Sequence, residues 1–353
     1  MNKHRLQFVV FFALLTAILL SVSGVGAAPK DGPVVSLSKE QSEFSASQNV
    51  LIIVTISNPT KHSARILRWF TPINGVEEPI FMVKVNGESV AYTGAFYKRP
   101  AANGNDYIQL KAGESVTYRV NLGDYYDLSA TGQYEIFYEA ASYILYNEKG
   151  NDSNSPDSLT SESINLKVEG RAAKPTPTPP PTPGGNAFTA CSITQQSDLI
   201  KARNQAKVYA SGSEVYLFGI NSSTRRYLEW FGIFDASRYN LVTSHFTKLH
   251  AAWDNASVNF DCSCKQNYYA YVYPTKPYYI YLCKVFWVAP LAGTDSKAGT
   301  LIHEMSHFTV VASTKDYVYG QAGARNLAKT NPANAIMNAD NHEYFAENDP
   351  SLP

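Results

Sequence analysis

Apolar and polar positions follow two different rhythms along this chain, and the change falls at a proline-rich break. Before the break, short β-rich runs recur between turn residues. Val50-Leu51-Ile52-Ile53-Val54-Thr55-Ile56 is a strand-like run closed by Asn58-Pro59. Phe81 to Val85 runs into Asn86-Gly87 and a second run from Val90 to Tyr92, the pattern of a two-residue hairpin. Ser115 to Leu122, Tyr134 to Ala140 and Ile164 to Val168 continue the series. Short strands at this spacing predict an all-β, immunoglobulin-like N-terminal domain. It carries no catalytic constellation, and its aromatic residues read as core and cross-strand pairs.

After the break the period lengthens. Ser192 to Ala210 and Ser237 to Asn255 read as helices, the second with a stripe of Leu241, Val242, Phe246, Leu249 and Trp253. His245 and His250 on that helix read as ordinary core or surface histidines. A tyrosine-rich β region covers Val258 to Cys262, Tyr268 to Tyr273 and Tyr279 to Ala289. A further helix follows, with Leu301, Ile302, Met305 and Phe308 on its buried side. Helix, sheet and then more helices predict an α+β domain.

The break itself is Lys174-Pro175-Thr176-Pro177-Thr178-Pro179-Pro180-Pro181-Thr182-Pro183-Gly184-Gly185. Such a segment favours an extended polyproline conformation without a core. The expected organisation is therefore a β-sandwich domain over residues 29–170, a linker over 171–186 and an α+β domain over 187–353. In front of these, Lys3, His4 and Arg5 precede an apolar run from Leu6 to Leu20 and the small residues Val25-Gly26-Ala27-Ala28. That is the pattern of a cleaved signal peptide, residues 1–28, and it predicts a secreted, extracellular protein. No later stretch is apolar enough to predict stable membrane association.

Export makes disulfides an option. The cysteines are Cys191, Cys262, Cys264 and Cys283. Cys262 and Cys264 are too close in sequence to pair comfortably with each other, and chain order suggests Cys191–Cys262 and Cys264–Cys283. A thiolate metal site would need a second close pair. With 30 basic and 30 acidic residues, the charge balance gives no reason to expect nucleic acid or an anionic membrane as partner.

The chemistry concentrates in Gly299-Thr300-Leu301-Ile302-His303-Glu304-Met305-Ser306-His307. Two histidines four apart on a helix point the same way, so both imidazoles can share one zinc ion with the intervening glutamate beside the metal's open position. This is the arrangement of a zincin-type metalloprotease catalytic domain. Catalytic zinc usually takes three protein ligands. A histidine at the extended HExxHxxGxxH spacing is excluded, because Val310 and Ser313 stand at the glycine and histidine positions. Asp316, Glu343 and Glu347 remain open as third ligand.

His303-Glu304-x-x-His307 followed by Thr314-x-Asp316-x-x-Tyr319-Gly320 resembles the aspzincins, the deuterolysin clan, and within it the peptidyl-Lys metalloendopeptidases. The likeness covers the whole second domain, including its four cysteines and the tail Asn338-Ala339-Asp340-Asn341-His342-Glu343-Tyr344-Phe345-Ala346-Glu347-Asn348. One departure is visible: the glycine that usually opens the loop is Ser313 here, which leaves the ligand in place and bears on the loop's backbone. The resemblance implies one Zn2+ held by His303, His307 and Asp316, Glu304 as general base, and Tyr319 as hydroxyl donor to the developing oxyanion. It also implies that Asp340 and Glu343 line the pocket for the residue after the cut bond and receive a lysine ammonium there. Asn338 reads as the N-cap of their helix.

The expected activity is a secreted zinc metalloendopeptidase hydrolysing peptide bonds on the N-terminal side of lysine. The alternatives are a broader deuterolysin-like protease and a non-catalytic peptide-binding module. The expected partners are lysine-containing proteins or peptides. The first domain is similar, more loosely, to the family's propeptide, which implies a zymogen whose N-terminal domain binds the catalytic domain in cis and is cut away between Arg171 and Phe188. A retained adhesion module is the other reading.

Overall fold

The structure, a computed structural model, describes residues 32–148, 155–172, 185–219 and 223–353. The signal peptide and most of the linker expected from the sequence lie outside the described residues.

Each of the two differently patterned stretches builds a main hydrophobic core, and a small third cluster joins Tyr143 to Val318, Leu327, Ala328 and Ala335. In the N-terminal part, alternation does the work: in Leu51–Ser57 the side chains of Ile52, Val54 and Ile56 are fully buried while their neighbours are half-buried. That strand lies between Val34–Lys39 and Ser115–Asn121 in an antiparallel three-stranded sheet. A second sheet runs in the order Glu43–Phe44, Ile164–Val168, Gly132–Ser142, Phe81–Val85, Glu88–Ser89, with Asp157–Thr160 added to the long strand. Tyr134, Ile136 and Tyr138 of the long strand meet Ile52 and Val54 in one core. The Asn86-Gly87 hairpin forms as expected, with φ of 51° and 90°. Its returning strand is Glu88–Ser89, ahead of the Val90–Tyr92 run expected from the sequence, where Tyr92 makes an isolated bridge to Tyr126.

The C-terminal part packs helices on a sheet ordered Asn186–Thr189, Val258–Asp261, Tyr279–Leu282, Ala270–Val272. The first three strands are parallel and Ala270–Val272 runs antiparallel to them. Helices Ile193–Phe218 and Ala236–Asn255 pack against each other, and the helix Lys297–His307 fits between them, the sheet and a C-terminal helix Ala339–Glu347. Phe246, Trp253, Leu301, Ile302 and Met305 share this core. Both disulfides form with the pairing that chain order suggests, Cys191–Cys262 and Cys264–Cys283.

Two elements differ from the sequence expectation. The first helix continues past Ala210 to Phe218, because Ser213 and Leu217 fall on its buried side and offset the weak propensity of Ser211-Gly212-Ser213. The β run read from Tyr279 to Ala289 ends at Leu282, and Lys284–Val288 is a short helix. Its Val-Phe-Trp-Val composition favours a strand. The chain nevertheless turns at Cys283, whose bridge to Cys264 fixes the strand end, and coils so that Phe286 is buried. Among the described residues no helix is long and apolar enough to cross a membrane.

The two parts are joined by more than the linker. Phe96–Lys98, from the N-terminal part, forms the fifth strand of the C-terminal sheet. It pairs antiparallel to the edge strand, with Lys98 opposite Ala270, Tyr97 opposite Tyr271 and Phe96 opposite Val272.

Candidate active site

The helix Lys297–His307 begins at Ser296, whose hydroxyl accepts from the Gly299 N–H. Every residue from Ala298 to His307 is buried, so the two imidazoles are shielded from bulk solvent. Gly299 has a packing reason. A Cβ there would sit 1.9 Å from Glu347 Oε1 and 2.9 Å from Glu343 Oε1, so only glycine lets the C-terminal helix approach.

After His307 the chain folds back at once. The Lys315 N–H donates to the Met337 carbonyl and the Ala339 N–H to the Lys315 carbonyl, which clamps the loop to the start of the C-terminal helix. Asn338 is at the N-cap position, as expected, but its side chain does a different job. Its Oδ1 accepts from the Tyr317 and Val318 N–H groups, so it braces the loop that carries Asp316. Ser313, where the family pattern has glycine, adopts φ of 55°, the left-handed conformation that glycine reaches more easily.

This fold-back brings Asp316 to the histidines. Asp316 Oδ1 is 3.2 Å from His303 Nε2 and Asp316 Oδ2 is 3.4 Å from His307 Nε2. All these atoms are buried and have no hydrogen-bond partner. Such orphaned polar atoms are costly unless something sits between them. A tetrahedral zinc with bonds of about 2.0–2.2 Å spaces its ligand atoms roughly 3.3–3.5 Å apart, so the constellation fits that ion. His307 donates its other nitrogen to the Thr314 carbonyl at 2.9 Å, which turns Nε2 toward the cluster. Glu304 follows His303 on the same helix, with both carboxyl oxygens buried and unpartnered. Burial pushes its carboxyl up to about 8, with His303 pulling in the opposite direction.

Of the other two candidates for third ligand, Glu347 turns away and accepts from the Ser296 N–H and hydroxyl at 2.9 and 2.7 Å. Glu343 joins Asp340 in a second buried cluster beside His303 Nδ1. That cluster already contains a cation. Lys98 Nζ is 2.6 Å from Glu343 Oε2, 3.5 Å from Asp340 Oδ1 and 3.3 Å from Asp295 Oδ1. The Lys98 side chain is only 1% exposed. Burial alone would lower its ammonium, but Asp340 and Glu343 outweigh burial and hold it well above the usual lysine range. Tyr269 and Tyr344 face the ammonium with ring centroids 5.1 and 5.6 Å away. Asp340 also accepts from the Gly320 N–H through Oδ2, so one carboxylate touches His303, the lysine and the Tyr319-Gly320 turn.

No sequence pattern marks Lys98, Asp295, Tyr269 or Tyr344 as members of this cluster. Asp295 has a local signal, a positive φ of 53° just before the active-site helix, but nothing in the residue string exposes it. Tyr319 is next to this cluster and is buried against the N-terminal core, with Trp69 edge-on at 5.4 Å. Its hydroxyl donates to Glu78 Oε1 at 2.9 Å and accepts from Arg99 Nη1 at 2.8 Å. Arg99 is itself paired with Glu78 and Glu77. A cavity of 660 Å³ between the two parts is lined by His307, Thr314 and Asp316 on one side and Glu78, Tyr92 and Phe96 on the other. His245 and His250 stay outside this chemistry: the first meets His342 at 3.0 Å, the second Glu214 and Asp254.

The aspzincin family model, described as lysine-specific metallo-endopeptidase, matches residues 216–347. An extracellular protease of Aeromonas hydrophila is 41% identical over 343 residues, 95% of this chain and 98% of that protein. A peptidyl-Lys metalloendopeptidase of Armillaria mellea is 35% identical over 352 residues, 96% of this chain and 97% of its own. A solved zinc peptidase from Grifola frondosa is 48% identical, covers 46% of this chain and all of its own, and superposes with a TM-score of 0.45. Relatedness of this degree over nearly the full length places the chain in the aspzincin family, and it is a zinc metalloendopeptidase.

Proposed function

We propose that this chain is the secreted zymogen of an endopeptidase that cuts on the N-terminal side of lysine. The observation that carries the reading is the chain's own Lys98. It enters the Asp340/Glu343 pocket from a strand laid along the sheet edge. An extended peptide added to a sheet edge is a common way to present substrate.

His303, His307 and Asp316 would hold the zinc. The ion supplies Lewis acidity, which acidifies water and polarises a carbonyl. Glu304 is the base: its buried carboxylate takes the proton of the attacking water and hands it to the leaving amine. Tyr319 supplies a phenol to the oxyanion once its hydroxyl is free of Glu78 and Arg99. Asp340 and Glu343, with Asp295, receive the ammonium of the lysine after the cut. A compact ammonium suits convergent carboxylates, whereas a planar guanidinium needs a wider, forked site.

On this reading residues 29–170 form an immunoglobulin-like prodomain, with its two facing sheets around one core, and 187–353 the catalytic domain. Residues 1–28 direct export. The prodomain binds the catalytic domain in cis, fills the lysine pocket with Lys98 and occupies the Tyr319 hydroxyl. Removal through the 171–186 linker frees both. Digestion of an unrelated protein by the secreted, processed enzyme tests the specificity by mass spectrometry: peptides beginning with lysine should dominate. Products with mixed first residues would refute it. N-terminal sequencing of the active form should give a start between Arg171 and Phe188, and a start near Pro29 would contradict removal.

A further inference from the structure

The strand that delivers Lys98 also fixes what stands on the other side of the cut bond. Side chains alternate along it, so Phe96 and Lys98 face the active-site helix and Tyr97 faces away. Tyr97 immediately precedes Lys98, and its side chain rests on two tyrosines of the catalytic part. Its ring is 5.2 Å from Tyr268, edge-on at 65°, and 5.3 Å from Tyr271, tilted at 36°.

The surface under it is built rather than incidental. Tyr271 lies directly opposite Tyr97 in the ladder and is stacked on Tyr281 of the next strand at 4.5 Å and 4°. Tyr273 closes edge-on against both, with centroids 6.0 and 5.9 Å away. Lys276 donates from Nζ to the Tyr281 hydroxyl at 2.5 Å. These braces all come from the catalytic part and would stay when the N-terminal part leaves. Among the described residues the Tyr268 side chain is braced from the N-terminal side, by its hydroxyl bond to Glu77 at 3.0 Å and by the Arg99 guanidinium 5.2 Å from its ring, while its backbone carbonyl accepts from the Val285 N–H. Its side chain is therefore the part of the wall released on activation.

We infer that Tyr268 and Tyr271 form the subsite for the residue before the cut bond, and that it selects aromatic side chains. This deepens the reading above and rests on its register, with Lys98 as the residue after the cut. The preferred cleavage is then between an aromatic residue and lysine. Tyr97 is the chain's own copy of that substrate residue, as Lys98 is of the next. An aromatic ring gains from edge-to-face and offset contacts here that an aliphatic or small side chain cannot make.

The test uses the full chain, expressed, secreted and processed to its active form. A peptide series keeps lysine after the cut and varies the preceding residue over Tyr, Phe, Trp, Leu, Ser and Gly. The kcat/KM for the aromatic members should exceed that for Ser and Gly by about three- to tenfold. In Tyr268→Ala, and separately in Tyr271→Leu, that ratio should fall toward one. The ratio is the readout because a merely destabilised enzyme loses rate on every peptide alike. A flat profile in the parent enzyme with the lysine requirement intact would overturn the inference and leave the lysine reading standing. A second series, with Tyr fixed before the cut and Lys, Arg or Ala after it, reads the register separately. Indifference there would remove the register and the inference with it.

Discussion

Two clusters of buried donors share His303, one on each of its ring nitrogens, and they behave differently. On the Nε2 side, His303, His307 and Asp316 surround a point with their donors unpartnered. On the Nδ1 side, Asp340 and Glu343 converge in the same way but around an ammonium supplied by a distant segment. Buried charges must be paired or coordinated; the Lys98 ammonium meets that need on the Nδ1 side, and an ion held between the donors would meet it on the Nε2 side. The donor set separates them: two imidazoles and a carboxylate at tetrahedral spacing suit zinc, while carboxylates flanked by the Tyr269 and Tyr344 rings suit an organic cation. The same helix pair thus carries both clusters, and Asp340 couples them by touching both His303 and Lys98.

The two halves of this pair can be broken separately, and the effects should rank in order. Glu304→Gln should lower kcat on a lysine peptide by about 10²–10⁴-fold or more with zinc content unchanged, since only proton transfer is removed. Metal analysis alongside the assay checks this, and near-normal turnover would dismiss Glu304 as base. Asp316→Ala should weaken zinc binding by at least the roughly 10–100-fold that loss of an outer-shell partner costs. Competition with a chelator measures it, and an unchanged affinity would move the third ligand elsewhere.

On the other side of His303, Lys98→Ala in the full chain leaves three carboxylates facing an empty pocket. Removing one partner of a buried pair costs about 3–5 kcal/mol. The unprocessed chain should then cleave lysine peptides without losing its N-terminal part, as an intact band on a gel together with activity would report. A chain as silent as the parent would argue that Lys98 is not what closes the cleft. Gly299→Ala forces the active-site and C-terminal helices apart. The lowered Tm should correspond to about 1–3 kcal/mol, and the lysine preference should fall with it. The smallest effect is expected at Ser313, where φ is 55°. Ser313→Gly should relieve about 1 kcal/mol of left-handed strain and raise Tm slightly, and a drop in Tm would show that the hydroxyl matters more than the backbone.

The difference between the two clusters also explains what could be read from residues alone. The metal side is local: His303, Glu304 and His307 sit on one helix, and Asp316 follows within one loop. Periodicity and ligand spacing therefore make the histidine pair legible, and the family pattern singles out Asp316 over Glu343 and Glu347, the acid that the fold brings beside both Nε2 atoms. The pocket side is non-local. Asp340 and Glu343 are visible as a pair at three-residue spacing on a helix, but their partner lies in Phe96-Tyr97-Lys98, which reads as an unremarkable stretch of the β-rich half. No short-range pattern marks a strand that leaves its own domain's sheets to complete another. Asp295 and Tyr269 were hidden for the same reason. At Lys284–Val288 the strand propensity of Val-Phe-Trp-Val loses to the constraint at Cys283, so a helix stands where composition favours a strand.

The central question is which of the two clusters holds the metal while Lys98 fills the other. Anomalous diffraction at the zinc edge from crystals of the full chain decides this in one map. The predicted result is a single zinc peak enclosed by His303 Nε2, His307 Nε2 and Asp316, with Lys98 in density between Asp340 and Glu343. A peak on the Nδ1 side of His303, among Asp340 and Glu343, with Lys98 displaced, would contradict it.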